Sequence, residues 1–259
     1  MKNRNSYSLI TEVVVVIVLI LYIFFLYMDF YNTKIFIDSK YINYSKYIKY
    51  LCILLCFLLS IISTKNLLMH TGTNTVNRRD ILLLRLAMFI TVIADLCLVI
   101  FDFYILGVAL FSVVQIIYSV RYTTKKRNSI LLKFFIISQC IIFSYVIVSL
   151  FIEGINVLLP VSLFYSICLI NSVIKAIKAW KNNLYPSPSK YMVVFGMILF
   201  LICDICVALS AITAHFTLTG YFMSSFHQIT FYLIWFFYIP SQLLLSLSGS
   251  TRIRRIRSL

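Results

Sequence analysis

The sequence predicts an all-α integral membrane protein with eight transmembrane helices. Hydrophobic residues make up 62% of its 259 residues, only 12% are charged, and the mean hydropathy is +0.98. About 20 apolar residues in a helix span the roughly 30 Å hydrocarbon core, where only helices and closed barrels satisfy every backbone group. The runs that meet this criterion are 8–28, 45–63, 81–101, 103–122, 130–152, 156–174, 191–214 and 229–248. We expect one bundle, with a tight turn near Asp102 and a basic tail at 249–259.

The basic residues predict the orientation of the bundle. Most of the 23 Lys and Arg lie in segments on one side of the membrane, whereas the other side holds Lys34, Lys40, Lys46 and Lys49. By the positive-inside rule, both termini are expected in the cytoplasm of a multi-pass cell-membrane protein. The net charge of +15 is divided among short loops and the tail, which favours anionic lipid over nucleic acid as its partner. The oligomeric state is not predicted.

Two aspartates interrupt apolar spans within similar local patterns. Asp95 lies in VIADLCLVI and Asp204 in LICDICVAL. An ionisable side chain at this depth costs about 2.5 to 3.5 kcal/mol and usually faces a functional path inside the bundle. The structural alternative is that each aspartate holds helices together, but interhelical polar contacts average well under 2 kcal/mol. The pattern therefore favours function over structure.

The two halves of the chain show a candidate parallel repeat. Asp95 precedes a span with a single glutamine, Gln115, and Asp204 precedes a span with Gln242. Four spans separate equivalent elements, which predicts two four-helix halves with one orientation. Both aspartates are expected at a similar depth, about 20 Å from the cytoplasmic boundary at helical rise.

Spans four and eight carry polar groups at helical spacing. Tyr238 and Gln242 are one turn apart, and Pro240 between them leaves the carbonyl of Phe236 free for another partner. In span four, intervals of three and four residues predict one inward-facing stripe. Its members are Tyr104, Gly107, Phe111, Gln115 and Tyr118.

Together these motifs resemble the YhhN-type lysoplasmalogenase family over most of the chain from Ile48 to Ser248. The resemblance implies eight spans and a hydrolase of ether-lipid metabolism that cleaves the vinyl-ether bond of a lysoplasmalogen to a fatty aldehyde and a glycerophospho-base. The substrate would be a lysophospholipid within the bilayer. The stretches that carry the resemblance are IKYL from Ile48, DLCL from Asp95, YILGVALFSVVQIIY from Tyr104, LPVSLFYSICLIN from Leu159, GMILFLICD from Gly196 and YIPSQ from Tyr238.

The family usually has histidine where this chain has Gln115. Two alternatives to the hydrolase stay open, of which the first follows from this glutamine and the second from the buried aspartates and the candidate repeat. One is a non-catalytic lipid-binding relative, and the other is a proton-coupled transporter that uses the same buried aspartates.

Asp95 and Asp204 suit the chemistry that the resemblance implies. A vinyl ether resists base but yields to acid, so one general acid and one general base suffice. Apolar burial disfavours the charged carboxylate and a neighbouring carboxylate disfavours a second charge, so such a pair can share one proton near neutrality. Which aspartate is the acid is left open.

The other candidate site residues would bind the substrate. Gln115 and Gln242 would hydrogen-bond the carboxyls or a water molecule, and Tyr118 and Tyr238 would line the cavity. Lys49, near the outer end of span two, would meet the lipid phosphate or act as a snorkelling anchor. No metal or other cofactor is expected, because no two of the three histidines share helical ligand spacing.

Overall fold

The computed structural model describes residues 2–35, 39–70, 75–123, 127–215 and 221–249. Within these ranges it is all-helical, and a short π-helical segment, Leu96–Ile100, follows the third helix. The eight α-helices are α1 Lys2–Ile35, α2 Ser39–His70, α3 Thr75–Asp95, α4 Tyr104–Arg121, α5 Arg127–Phe151, α6 Leu158–Lys181, α7 Ser189–His215 and α8 Tyr221–Leu247.

The predicted eight-span fold is confirmed. Each helix is long and apolar enough to cross a membrane, and the candidate spans run from Leu9–Phe30 to Gln228–Leu247. Several helices extend beyond the apolar run, because helical hydrogen bonding continues where the chain leaves the hydrocarbon region. The tail at 250–259 lies outside the described residues, and the cytoplasmic position of the termini stays a prediction.

The tight turn expected near Asp102 is present. Asp102 has a φ of 55°, in the left-handed region that aspartate tolerates better than most residues. Across the turn, the Phe103 amide donates to the carbonyl of Cys97 at 2.8 Å. Gly107 then packs so closely on Leu98 of the π-helical segment that a Cβ would overlap the leucine side chain. This close contact lies next to the turn, in which only residues 101–103 separate the π-helical segment from α4.

Seven helices share one hydrophobic core, and α5 lies at the periphery. The helices of the core are α1, α2, α3, α4, α6, α7 and α8. Buried side chains of α5 contact α4 and α6 through a small cluster that includes Ile130, Phe134 and Cys168. Much of the remaining α5 surface is exposed, as expected for a lipid-facing helix. On the other side of the bundle, α7 and α8 approach closely at Gly196, where a Cβ would lie 2.9 Å from Leu245 Cγ.

The proline in α8 has the predicted effect. Pro240 has no N–H to donate to Phe236, and the Phe236 carbonyl instead accepts a hydrogen bond of 2.9 Å from the Tyr22 hydroxyl. The freed carbonyl thereby links α8 to α1.

Candidate active site

Asp95 is the last residue of α3 and is only 3% exposed. Its Oδ2 accepts a hydrogen bond of 2.5 Å from the hydroxyl of Tyr238 on α8. The π-helical segment starts at the next residue, and such segments within helices are frequent at functional sites. The apolar pattern of the sequence contains no signal that distinguishes this wider turn from an ordinary helical one.

Asp204, in the middle of α7, is half-buried and has an equivalent partner. Its Oδ2 accepts a hydrogen bond of 2.5 Å from the hydroxyl of Tyr165 on α6. Tyr165 was not among the residues predicted for the site. The available signal was its place in the stretch LPVSLFYSICLIN, one of those that carry the family resemblance.

The two aspartate–tyrosine pairs meet around Phe111. The Phe111 ring lies 6.2 Å from that of Tyr165 and 6.4 Å from that of Tyr238, between centroids. Asp95 is within electrostatic range of Asp204. Among the described residues, neither carboxylate has an ion-pair partner. The fold therefore brings two acids that are 109 positions apart (204 − 95) into one region of the bundle interior.

Gln115 lies next to the second pair but does not bond a carboxyl group. It is fully buried, and its Oε1 accepts a hydrogen bond of 2.7 Å from the Ser172 hydroxyl. Its Nε2 lies beside the Tyr165 hydroxyl yet has no hydrogen bond of ordinary geometry within the described residues. Gln115 thus reaches Asp204 only through Tyr165.

Gln242 is fully buried, but neither its Oε1 nor its Nε2 has a hydrogen-bond partner in the described part of the chain. The same is true of the adjacent Ser241 Oγ. Of the two partners that the sequence suggested, a carboxyl group or a water molecule, Gln242 thus does not bond the carboxyl group. A buried amide without a partner is costly, and such groups in native proteins commonly contact water or a ligand.

Two tyrosines of the predicted inward stripe, Tyr118 and Tyr104, do not contact Asp95 or Asp204. The Tyr118 hydroxyl donates to Met88 Sδ at 3.5 Å, and its ring stacks on Tyr122 at 5.8 Å. Tyr104 was expected to face inward, and that expectation is wrong, because it is the first residue of α4 and is 55% exposed. Its hydroxyl donates to Asp102.

A further buried acid, Asp80, lies near the start of α3, at the end of the bundle that carries most of the basic residues of the described part of the chain, here called the basic end. Both its oxygens accept hydrogen bonds of 3.1 Å from the Arg121 guanidinium. Tyr185 donates to the same carboxylate at 2.7 Å, and Arg121 also donates to Ser248 at 2.9 Å. Burial and the adjacent Asp80 carboxylate raise the pKa of the Tyr185 hydroxyl well above its usual value.

Lys49 is buried at the opposite end of the bundle, near the start of α2. It is 4% exposed, and its Nζ lies 2.6 Å from Oδ2 of Asp29 on α1. The Ser45 hydroxyl donates to the other Asp29 oxygen at 2.5 Å. The snorkelling alternative does not fit this position. Sequence reasoning missed Asp29 because it follows the end of the first predicted span.

Three aromatic rings surround the Lys49 ammonium. Its Nζ lies within 4.9 to 5.6 Å of the centroids of Trp235, Phe25 and Phe231. Trp235 also packs edge-on against Tyr238, the partner of Asp95, with centroids 5.7 Å apart. The lysine site and the first aspartate pair are therefore separated by about one turn of α8. Among the described residues, no three His, Cys, Asp or Glu side chains are grouped as a metal ion would require.

The sequence model of the YhhN family matches residues 43–249, which is most of the chain, and the chain therefore belongs to that family. The match includes both aspartate–tyrosine pairs, whereas Asp29 lies outside it. No curated relative and no solved structure matches the chain.

Proposed function

We propose that this YhhN-family protein is an intramembrane hydrolase that cleaves the vinyl-ether bond of lysoplasmalogens, releasing a fatty aldehyde and a glycerophospho-base. The observation that carries the proposal is that Asp95 and Asp204 are both held by tyrosines, Tyr238 and Tyr165, whose rings pack against the same residue, Phe111. Each has a tyrosine hydroxyl as partner and, within the described residues, no cation. A buried acid without a counter-ion is expensive to maintain in a membrane protein and is usually functional.

The reaction begins with acid catalysis. A proton from one carboxyl group adds to the alkene carbon remote from the ether oxygen, and the carbon bonded to that oxygen becomes an oxocarbenium ion. Water adds to this ion and transfers a proton to the other carboxylate. The resulting hemiacetal then breaks its bond to the glycerol oxygen, which takes the proton from the second carboxyl group, while the hemiacetal hydroxyl gives its proton to the first carboxylate as the aldehyde forms. The two carboxyl groups end with the protons they had at the start.

The apolar surroundings favour one shared proton for the pair. Removal from water disfavours the charged form of Asp95 and Asp204, and the charge on one disfavours ionisation of the other. The protonated member is then the general acid, and the ionised member stabilises the cation and orients water. Tyr238 and Tyr165 each fix one carboxyl group by a hydrogen bond, which leaves its second oxygen for the reaction.

Gln115 favours a second candidate, a lipid-binding relative without catalytic activity. An amide can donate a hydrogen bond to Tyr165, as a histidine could, but it cannot carry a proton between groups. The hydrolase proposal therefore assigns all proton transfer to the carboxyl pair. The localisation that goes with either function is the cell membrane, with both termini cytoplasmic.

The test is to incubate the purified protein with a lysoplasmalogen and with its saturated alkyl-ether analogue, and to measure free aldehyde. We expect aldehyde from the vinyl ether alone, lost in Asp95→Asn and in Asp204→Asn. Asp102→Asn is the matched control, because Asp102 is an exposed acid in the turn before α4 and should leave the rate unchanged. Binding of lipid without aldehyde would favour the silent relative. Acid-dependent solute uptake in proteoliposomes, again without aldehyde, would favour a transporter.

A further inference from the structure

The ion pair of Lys49 and Asp29 is an unusual feature for a helix bundle in a membrane. A buried pair loses its hydration on both sides, and well-packed apolar residues in its place are often equally or more stable. Here the pair is also enclosed by three rings and bonded by Ser45. Packing alone does not require this combination of charges and rings, which points to a ligand that carries the same chemistry.

The rings form a binding site for a cation. Trp235, Phe25 and Phe231 present their faces to the Lys49 ammonium at distances at which cation–π attraction operates. Aromatic boxes of this kind recognise quaternary and other ammonium ligands, and a nearby carboxylate strengthens the attraction. Lys49 therefore occupies a place that the ammonium of a ligand could take.

We propose that the box of Phe25, Phe231 and Trp235, with Asp29 and Lys49, is a headgroup subsite that selects lysophospholipids whose headgroup carries both a phosphate and an ammonium. The proposal rests on the proposed function for the class of ligand. It assigns the selection to residues of α1, α2 and α8, of which Asp29 and Phe25 lie outside the part of the chain that matches the family.

Binding is an exchange of ion pairs. The lipid phosphate replaces the Asp29 carboxylate as partner of Lys49, while the headgroup ammonium takes the place of Lys49 against Asp29 and the rings. Each charge in the site keeps an opposite partner, so neither is left buried and unpaired. A headgroup with a phosphate alone would satisfy Lys49 but place Asp29 beside another anion, which disfavours it.

The position of the box suits such a substrate. Trp235 of the box packs against Tyr238, which holds Asp95, and the two residues are about one helical turn, or about 5 Å, apart along α8. In a lysoplasmalogen the phosphate and the vinyl ether are separated by the glycerol unit. A headgroup in the box therefore places the reactive bond next to the carboxyl pair.

The first experiment measures binding without reaction. Non-cleavable alkyl-ether lysophospholipids with choline, ethanolamine or glycerol headgroups are titrated into the purified full-length protein by calorimetry. We expect the first two to bind roughly tenfold more tightly than the third. Asp29→Asn should abolish this preference, whereas Asp102→Asn, which removes an exposed acid, should keep it. Equal affinity of the wild-type protein for all three lipids would overturn the proposal.

A milder variant guards against loss of folding. Phe231 is 49% exposed, so Phe231→Leu removes one ring of the box without opening the core. We expect a few-fold weaker binding of the choline lipid and no change for the glycerol lipid. Phe103→Leu, at a ring 59% exposed and remote from the box in the turn before α4, is its control. Equal effects of the two variants on both lipids would mean that Phe231 has no part in recognition, contrary to the proposal.

The same lipids in vinyl-ether form separate the two proposals. A headgroup preference that depends on Asp29, with no aldehyde released, would support the subsite and refute the hydrolase. Aldehyde released at the same rate from choline and glycerol lipids, with Asp29→Asn behaving like Asp102→Asn, would support the hydrolase and refute the subsite. In that case the Lys49–Asp29 pair is a structural ion pair only.

Discussion

The buried acid at the basic end and the two acids in the middle of the bundle are held in different ways. Asp80 receives two hydrogen bonds from the Arg121 guanidinium and one from Tyr185, so its charge is fully compensated. Asp95 and Asp204 each receive one tyrosine hydroxyl and, within the described residues, no cation. A compensated carboxylate fastens helices together, whereas an uncompensated one is able to gain and lose a proton.

The largest expected effect separates activity from stability at the central pair. Asp95→Asn or Asp204→Asn should lower aldehyde release by about 100-fold to 10,000-fold, because the amide cannot transfer a proton. The melting temperature in detergent should change little, since asparagine has the same shape and still accepts the tyrosine hydrogen bond. A variant that loses activity only because it unfolds would remove the contrast with Asp80.

The second prediction concerns the basic end, where we expect substitutions to change the stability of the fold rather than the catalytic step. Arg121→Met leaves Asp80 buried without its cation and should cost about 3 to 5 kcal/mol of unfolding free energy, measured by denaturant titration in detergent. The double variant Asp80→Asn/Arg121→Met removes both charges and should recover much of that loss. If the double variant is no more stable than the single one, the pair is not the source of the stability.

A smaller effect concerns the tyrosines that hold the two acids. Tyr238→Phe and Tyr165→Phe each remove one hydrogen bond and should slow aldehyde release by about tenfold, with the substrate affinity nearly unchanged. Tyr185→Phe is the matched change at Asp80 and should alter stability without altering the rate at equal folded fraction. Rates unaffected by both central variants would mean that the hydroxyls do not position the carboxyl groups.

The smallest effect is expected at Tyr104. Because its side chain is exposed at the start of α4, Tyr104→Phe should change stability by less than about 0.5 kcal/mol and leave the rate unaltered. Tyr118→Phe, four turns along the same predicted stripe, removes a buried hydroxyl contact with Met88 and should cost more stability. Equal stability of the two variants would mean that the buried hydroxyl of Tyr118 adds nothing to the stability of the fold.

The helices were predictable because each span is a long apolar run with its own polar boundaries. The two intramembrane aspartates were predictable for a related reason, since a charge in such a run has few structural explanations. Tyr165 was not, because its relation to Asp204 exists only after α6 packs against α7. Asp29 and Arg121 lie at the edges of spans, where a charged residue is interpreted as a boundary or an orientation signal.

The candidate repeat also shows that the sequence does not predict which side chains bond the two aspartates. If Gln115 and Gln242 are equivalent, then Phe111 stands at the position of Tyr238, four residues before the glutamine. A phenylalanine has no hydroxyl to donate, and the hydrogen bond to Asp204 comes from Tyr165 of α6 instead. The sequence pattern located both acids, but the identity of their partners depends on side-chain packing, which no repeat alignment contains.

The most direct measurement compares the rate of aldehyde release in Asp95→Asn, Asp204→Asn and the variant with both changes. If the two carboxyl groups act as one acid–base pair, each single variant should be nearly as slow as the double variant, because residues that act as a unit have non-additive effects. Losses that multiply in the double variant, or a single variant that keeps the wild-type rate, would contradict a shared role for Asp95 and Asp204.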